Sequence, residues 1–156
     1  LKVLDMNTFE ITLKYVHGLC EQKKIKLTEK RQQILYSLLK ANKALSAYEL
    51  IDSLRLHFDQ DFAPMTVYRI LKFLEENTLI HKLQSTNKFV ICSHLSDCRV
   101  SNAPQFLICN SCQKVDEVHL DQELMEAVCN NIKKTGFLLS DPQFELKGIC
   151  QDCRLD

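Results

Sequence analysis

Eight cysteines are the residues of this 156-residue chain that point most directly to chemistry. Four of them form two C-x-x-C pairs, Cys109 with Cys112 and Cys150 with Cys153, and 37 residues separate the pairs. A structural zinc ion takes four ligands at the corners of a tetrahedron, and each C-x-x-C turn supplies two adjacent corners. We therefore predict a closed, non-catalytic zinc site made by these four thiolates.

Two further metal-ligand side chains lie in a predicted β-hairpin at residues 79–92. If Thr86 and Asn87 form a two-residue turn, His81 lies directly opposite Cys92. Directly opposed residues have Cβ atoms about 4.5–5.5 Å apart, so this imidazole and this thiolate could share one metal ion. The alternative is a half-buried histidine beside a buried cysteine, without a metal.

More residues with nitrogen, sulfur or carboxylate ligand atoms follow the hairpin: His94, Asp97, Cys98, Asp116, Glu117 and His119. A site of mixed nitrogen, sulfur and oxygen ligands suits zinc best. Built from both halves of the chain, such a site would bind zinc more weakly and exchange it more readily than four thiolates do. A sensor site is expected to differ from a structural site in this way.

The first half of the chain predicts helices followed by the hairpin. Apolar residues recur at helical spacing in four segments, which predicts helices over 8–24, after Thr28, after Ser46 and from Pro64 to about residue 77. Ser46 and Glu49 form a capping box at the start of the third helix. Short helices that end in a β-hairpin are typical of a winged helix-turn-helix, so we assign residues 1–92 to a DNA-binding domain.

We predict that residues 93–105 form a linker and that residues 106–156 form a small α/β domain. The elements predicted there are strands over 106–109 and 115–120, a helix over 122–135 and a strand over 137–147. The fold class is therefore α+β, with a winged helix-turn-helix domain followed by an α/β dimerisation domain that carries a four-cysteine zinc site. Metal binding or dimerisation should stabilise this second domain, because a chain this short cannot bury a large core.

One face of the fourth helix is a candidate for DNA binding, because its apolar residues recur on the opposite face. Arginine can read guanine bidentately, and tyrosine can bond to phosphate. The candidate DNA-binding residues, here and near the starts of the second and third helices, are Tyr48, Thr66, Tyr68, Arg69, Lys72 and Arg31. The alternative is an ordinary solvated helix face.

The net charge of the chain is zero, but the two signs are unevenly distributed. Residues 1–92 hold 14 Lys/Arg and 10 Asp/Glu, a net charge of +4, whereas residues 93–156 hold 6 and 10, a net charge of −4. A basic half joined to an acidic half suggests two different tasks. The sequence shows neither a run of about 18 apolar residues nor a secretory signal, so we expect a cytoplasmic protein with reduced cysteines.

Several motifs resemble the ferric uptake regulator family. These motifs are Leu27-Thr28-Glu-Lys-Arg31, Leu45-Ser-Ala-Tyr-Glu-Leu50, Thr66-Val-Tyr-Arg69 and the two C-x-x-C pairs. The stretch from His81 to Cys92 is similar to the zinc uptake regulator branch of that family. A cysteine at the position of Cys92 favours zinc over iron. The resemblance extends over nearly the whole chain.

The resemblance implies a dimeric bacterial transcriptional repressor of zinc uptake genes. Zinc would be the co-repressor, closing the hinge between the two domains so that the homodimer fits a palindromic DNA operator. By matched position, Tyr48 and Arg69 would contact bases and the four paired cysteines would hold structural zinc. His81, Cys92 and Glu117 would be three ligands of a regulatory zinc, so two zinc ions per monomer are expected.

The sequence departs from the family pattern at the fourth regulatory ligand. The family has one or more histidines shortly before the strand of the first C-x-x-C pair, but residues 100–105 contain none. Cys98, six residues after Cys92, is the first candidate for this ligand, His94 is the second and Asp97 the third. The missing histidines also argue against iron or peroxide sensing.

Other functions remain open at this point. One is a family member that responds to another metal or to peroxide, another is a thiol redox enzyme that uses Cys109 and Cys112, and a third is a zinc-ribbon interaction module without a sensing role. The sequence contains no G-x-S-x-G and no H-E-x-x-H motif. We therefore expect a regulator rather than an enzyme, with neither a membrane nor a small organic substrate as its partner.

Overall fold

The chain divides into two compact units, Leu1–Cys98 and Arg99–Asp156. The computed structural model describes residues 6–22, 24–41, 43–93, 104–140 and 143–154. The division falls inside the segment that the sequence predicts as a linker.

Helices followed by a hairpin make up the first unit. Its elements are α1 (Met6–Gln22), α2 (Glu29–Ala41), α3 (Ala47–Phe58), α4 (Pro64–Glu76), β1 (Ile80–Leu83) and β2 (Lys88–Ile91). The two strands pair antiparallel, and an isolated bridge between Leu45 and Phe89 adds a residue that lies two positions before α3 to this hairpin. The predicted winged helix-turn-helix is confirmed, with the hairpin as its wing.

One apolar face of each helix builds the core of the first unit. Buried core residues of α2, α3, α4 and the wing include Ile34, Leu35, Leu38, Leu50, Leu54, Val67, Leu71, Leu74, Leu79, Ile80 and Phe89. Full burial of one leucine-sized side chain stabilises a fold by about 1.5–3 kcal/mol. Ile70, which the helical spacing also predicts to face inward, is only partly buried at the edge of this core.

The predicted capping box fixes the start of α3. The Ser46 hydroxyl accepts a hydrogen bond from the backbone N–H of Glu49 at 3.2 Å, and the Glu49 carboxylate accepts one from the backbone N–H of Ser46 at 2.7 Å. Both bonds satisfy backbone donors that have no acceptor within the helix. This end of α3 is therefore determined by four consecutive residues.

The turn of the wing is longer than predicted. Leu83 pairs with Lys88, so four residues form the turn instead of the two residues Thr86 and Asn87. Asn87 adopts a φ of 52°, in the left-handed region that asparagine enters more readily than most residues. A residue able to take this conformation lets the longer turn close.

The longer turn changes the partner of His81. This residue lies opposite Val90, so the prediction that it directly opposes Cys92 is wrong. Cys92 lies two residues beyond Val90 and therefore on the same face of the hairpin. His81 and Cys92 are diagonal neighbours on one face.

The second unit is a three-stranded sheet with a helix. Its elements are β3 (Gln105–Cys109), β4 (Val115–Val118), α5 (Gln122–Lys134), β5 (Glu145–Gly148) and the short α6 (Gln151–Arg154). The strand order is β4-β3-β5, with β3 antiparallel to β4 and parallel to β5. Its buried apolar side chains among the described residues are few: Phe106, Ile108, Cys109 and Met125.

The last strand is shorter than the predicted span of 137–147. Phe137 and Leu138 lie before it and are 72% and 85% exposed. β5 contains only the residues that pair with β3, from Glu145 to Gly148. A strand extends only where a neighbouring strand supplies hydrogen-bond partners, and a run of apolar residues does not reveal where that happens.

Within the described part of the chain, no helix is both long and apolar enough to cross a membrane.

We expect Ser46→Ala to lower the free energy of unfolding by about 1 kcal/mol, because it removes the hydroxyl half of the capping box. Urea unfolding, read through hydrogen exchange of the α3 amides, measures this change. Ser53→Ala, in the middle of the same helix, is the matched control and should change stability much less. Equal effects of the two substitutions would contradict a capping role for Ser46.

Candidate metal centre and nucleic-acid interface

The parallel pairing of β3 with β5 brings the two C-x-x-C turns together. Cys109, the last residue of β3, pairs with Gly148, the last residue of β5. Because parallel strands end at the same edge of a sheet, the turns that follow both strands lie side by side. The backbone N–H of Asn110 donates to the Gly148 carbonyl at 2.8 Å and ties the two turns to each other.

The four cysteine sulfurs converge on one point. All four Sγ atoms, those of Cys109, Cys112, Cys150 and Cys153, lie within 4.8 Å of one another. The Cys112 and Cys150 sulfurs are 3.7 Å apart. In a tetrahedral site with Zn–S bonds of about 2.3 Å, the sulfur–sulfur separation is about 3.8 Å. The cluster therefore has the dimensions of a tetrathiolate zinc site.

Backbone N–H groups stabilise the thiolate form of one of these cysteines. The N–H groups of Cys112 and Cys150 point at the Cys109 sulfur and lower the pKa of that thiol to about 6. The neighbouring sulfurs of Cys150 and Cys112 raise the pKa of Cys153 to about 12. Without a metal, the cluster thus holds protons at neutral pH. A dication that binds all four sulfurs must displace those protons, so its affinity falls as the pH falls.

His81 and Cys92 lie close together on the wing despite the corrected register. A ring nitrogen of His81 and the sulfur of Cys92 are within 4.8 Å of each other. The Cys92 side chain is buried, and its backbone N–H donates to the Leu79 carbonyl at 3.1 Å. A nitrogen and a sulfur at this separation can bind a common metal ion.

Glu117 lies on β4 of the second unit, opposite Phe106 in the sheet. Its side chain is only 2% exposed, and its carboxylate oxygen lies 3.7 Å from Nε2 of His119. Removing a carboxylate from water is costly unless a cation or hydrogen-bond donors compensate. The remaining predicted regulatory ligands, Cys98, His94 and Asp97, lie outside the described residues.

The outer face of α4 carries the predicted DNA-binding side chains. Tyr68, Arg69 and Lys72 are exposed, and Thr66 is half-buried in the first turn of the helix. Tyr48, in the first turn of α3, is 65% exposed. Its ring and hydroxyl are therefore accessible to a partner.

Arg31 has a structural contact that the sequence does not predict. Its guanidinium carbon lies 3.3 Å from the centre of the Phe73 ring, and it donates a hydrogen bond to the Lys26 carbonyl. A cation over an aromatic face is attracted to the ring. Arg31 therefore joins α2 to α4 and helps to fix the angle of the helix with the candidate DNA-binding face.

Comparison with known proteins points to one family. The profile of the ferric uptake regulator family matches residues 22–147. The chain is 33% identical over 152 residues to the zinc uptake regulation protein of Escherichia coli (strain K12), which covers 96% of this chain and 85% of that protein.

Two solved structures are similar over nearly their full length. A zinc uptake regulator complexed with zinc and DNA has a TM-score of 0.78 at 31% identity, covering 95% of this chain and 96% of that chain. The holo form of XcZur has a TM-score of 0.75 at 32% identity, covering 93% and 98% respectively.

We expect Cys112→Ser to weaken the binding of metal to the second unit, because it removes one of the four thiolates. The loss of affinity should exceed the roughly 10- to 100-fold that is lost with a residue that only hydrogen-bonds to a metal ligand. The small core of this unit should then lose its protection, because structural zinc supplies folding energy. Native mass spectrometry measures the bound metal, and hydrogen exchange of α5 measures the folding.

Cys129→Ser is the matched control, because Cys129 is a free, partly buried cysteine of α5 outside the cluster. It should retain the metal. Full metal content and an unchanged α5 in Cys112→Ser would show that the four cysteines do not form a structural site.

Proposed function

The chain belongs to the ferric uptake regulator family, and from that premise we propose that it is a zinc-responsive, sequence-specific repressor of zinc uptake genes. It acts as a cytoplasmic homodimer on a palindromic DNA operator, with zinc as its co-repressor. The observation that carries this proposal is that a ring nitrogen of His81 and the sulfur of Cys92 lie within 4.8 Å of each other on the wing of a winged helix. A nitrogen–sulfur pair suits zinc better than iron.

One zinc ion per monomer is structural in this proposal. It is bound by Cys109, Cys112, Cys150 and Cys153, whose sulfur separations suit tetrahedral zinc. Four thiolates fill the coordination sphere, so this ion neither reacts nor exchanges readily. Its task is to hold together a unit with few buried apolar side chains.

A second zinc ion per monomer is regulatory. His81, Cys92 and Glu117 supply three ligands, and Cys98, with His94 as the alternative, supplies the fourth. The nearly complete burial of the Glu117 carboxylate supports this role, because zinc would balance its charge. Thiolate, imidazole and carboxylate together form a site that exchanges its metal with the surroundings.

DNA is bound by α4 and its neighbours. Arg69 and Tyr48 read base edges, and the other contacts come from Thr66, Tyr68, Lys72 and Arg31. Arg31 is already held over Phe73, so it contributes mainly by setting the position of α4. The exposure of Tyr48 and Arg69 supports their role as base contacts.

The second unit carries the dimer interface. Several large apolar side chains of this unit are exposed: Leu107, Leu124, Phe137, Leu138, Leu146 and Ile149. Scattered apolar residues are normal on a surface, but six in a unit of this size suggest a surface that a second copy covers. Two copies then present two recognition helices, which fits a palindromic operator.

Zinc controls DNA binding by shifting a population. Ligands from the wing, the linker and the second unit can bind one ion only in a single arrangement of the two units, so zinc favours that arrangement. A coupling of about 3 kcal/mol would change operator affinity roughly 150-fold. Bound operator raises zinc affinity by the same factor.

The thiol redox alternative is less well supported. The low pKa of Cys109 is a property of reactive thiols. However, the Cys109 side chain is only 4% exposed, and its sulfur faces three others rather than an open substrate site. The cluster suits a metal ion better than a disulfide substrate.

We expect native mass spectrometry to show two zinc ions per monomer, falling to one after mild chelation. The mixed site should release its ion because it has fewer thiolates and ligands from separate segments. Cys92→Ser should carry one zinc before any chelator is added. A single zinc that resists the chelator in the unmodified protein would mean that the regulatory site does not form.

We expect the protein to select a palindromic duplex from a random DNA pool and to bind it on the order of 100-fold more tightly with zinc than after chelation. Arg69→Ala should weaken this binding by about 1–3 kcal/mol, because it removes a bidentate base contact. Fluorescence anisotropy measures both effects.

Lys133→Ala, an exposed cation of the second unit, is the control for the loss of one positive charge. Arg69→Ala should keep its zinc and its dimer. If it lost its fold instead, Arg69 would be structural rather than a base contact.

A further inference from the structure

The wing is attached to the start of α3 at two separate points. Leu45 and Phe89 exchange two backbone hydrogen bonds, of 2.9 and 2.7 Å. One residue before Phe89, the Lys88 ammonium lies 3.0 Å from the Glu49 carboxylate. Phe89 also packs in the core, so the backbone pair already holds this strand, and the ion pair adds a second polar attachment at Glu49, four residues after Leu45.

The Glu49 carboxylate is well suited to be a fixed anchor. One of its oxygens accepts the capping-box hydrogen bond from Ser46, and the other contacts Lys88. Burial alone would raise the pKa of Glu49, but the Ser46 N–H and the Lys88 ammonium hold that pKa below its ordinary value. Glu49 therefore stays ionised at neutral pH, with one oxygen bonded to Ser46 and the other paired with Lys88.

The two partners of this ion pair lie on segments that also carry proposed functional residues. Lys88 begins β2, and four residues later the same chain reaches Cys92, a proposed zinc ligand. Glu49 directly follows Tyr48, a proposed base contact, in the first turn of α3. The ion pair thus joins the strand that leads to Cys92 to the helix turn that carries Tyr48.

We propose that the Glu49–Lys88 ion pair is a positioning pair that transmits the zinc state of the wing to Tyr48. This inference rests on the proposed function. Zinc bound by His81 and Cys92 fixes the hairpin, and the ion pair holds the first turn of α3 in register with it. Without the pair, zinc still binds, but the position of Tyr48 depends less on whether zinc is bound.

The effect of the ion pair on the coupling between zinc binding and operator binding can be separated from the effect of its charges on DNA affinity. Removing Lys88 weakens attraction to DNA phosphates, and removing the charge of Glu49 strengthens it. These long-range effects act with and without zinc, so they cancel in the ratio of the two operator affinities. A positioning role predicts that both substitutions lower this ratio, although they move non-specific affinity in opposite directions.

The test compares Glu49→Gln, Lys88→Met and the double variant in the full chain. Glutamine also completes a capping box, so Glu49→Gln keeps the start of α3 intact. Methionine keeps the apolar stem of Lys88. Lys82→Met, on the neighbouring strand, controls for the loss of a positive charge from the wing. The probe is the duplex selected from the random pool, with its affinity measured in zinc and after chelation.

We expect each single substitution to lower the zinc-to-chelated affinity ratio about 3- to 10-fold, a range typical of residues that modulate coupling. The double variant should lose little more than either single one, because both remove the same interaction. Lys82→Met should keep the ratio of the unmodified protein, and zinc affinity without DNA should be unchanged in all variants.

Unchanged ratios, or fully additive losses in the double variant, would overturn the inference alone. So would a loss of zinc affinity without DNA, because the pair would then support the metal site instead of the coupling. If the unmodified protein itself binds the duplex equally with and without zinc, the proposed function fails, and this inference fails with it.

Discussion

Repulsion between four close thiolates is the constraint on which the second unit depends. Sulfurs within 4.8 Å of one another cannot all be ionised unless a cation lies among them. In the metal-free cluster, the backbone N–H groups of Cys112 and Cys150 lower the pKa of Cys109, whereas the neighbouring sulfurs of Cys150 and Cys112 raise the pKa of Cys153. In the proposed structural site, zinc would bond all four sulfurs and so join strands β3 and β5 at their ends. A unit with so few buried apolar side chains needs such a link.

The two proposed metal sites use opposite physical arrangements. The cysteine cluster draws its ligands from two turns of one sheet, so the ligands are already together when the unit is folded. The proposed regulatory site draws its ligands from separate segments, so part of the binding energy is used to bring them together. A site of the first kind holds its ion regardless of supply, and one of the second kind responds to supply.

Local features of the fold could be predicted from the sequence, whereas features that depend on pairing between distant segments could not. The capping box of Ser46 and Glu49, the start of α4 at Pro64 and the two C-x-x-C turns each need only a few consecutive residues. The predicted register of the hairpin was wrong because a polar turn of several residues can close in more than one way. The contacts of Arg31 with Phe73 and of Glu49 with Lys88 depend on helix packing and strand register, which composition does not encode.

The four-residue turn of the wing limits how homologous sequences can diverge. Side chains alternate between the faces of a strand, so a change in turn length that shifted the pairing by one residue would place His81 and Cys92 on opposite faces. Substitutions within the turn leave the pairing intact, provided that one residue accepts the left-handed conformation of Asn87. Chains that keep this proposed metal-binding pair should therefore vary the composition of the turn while conserving its length.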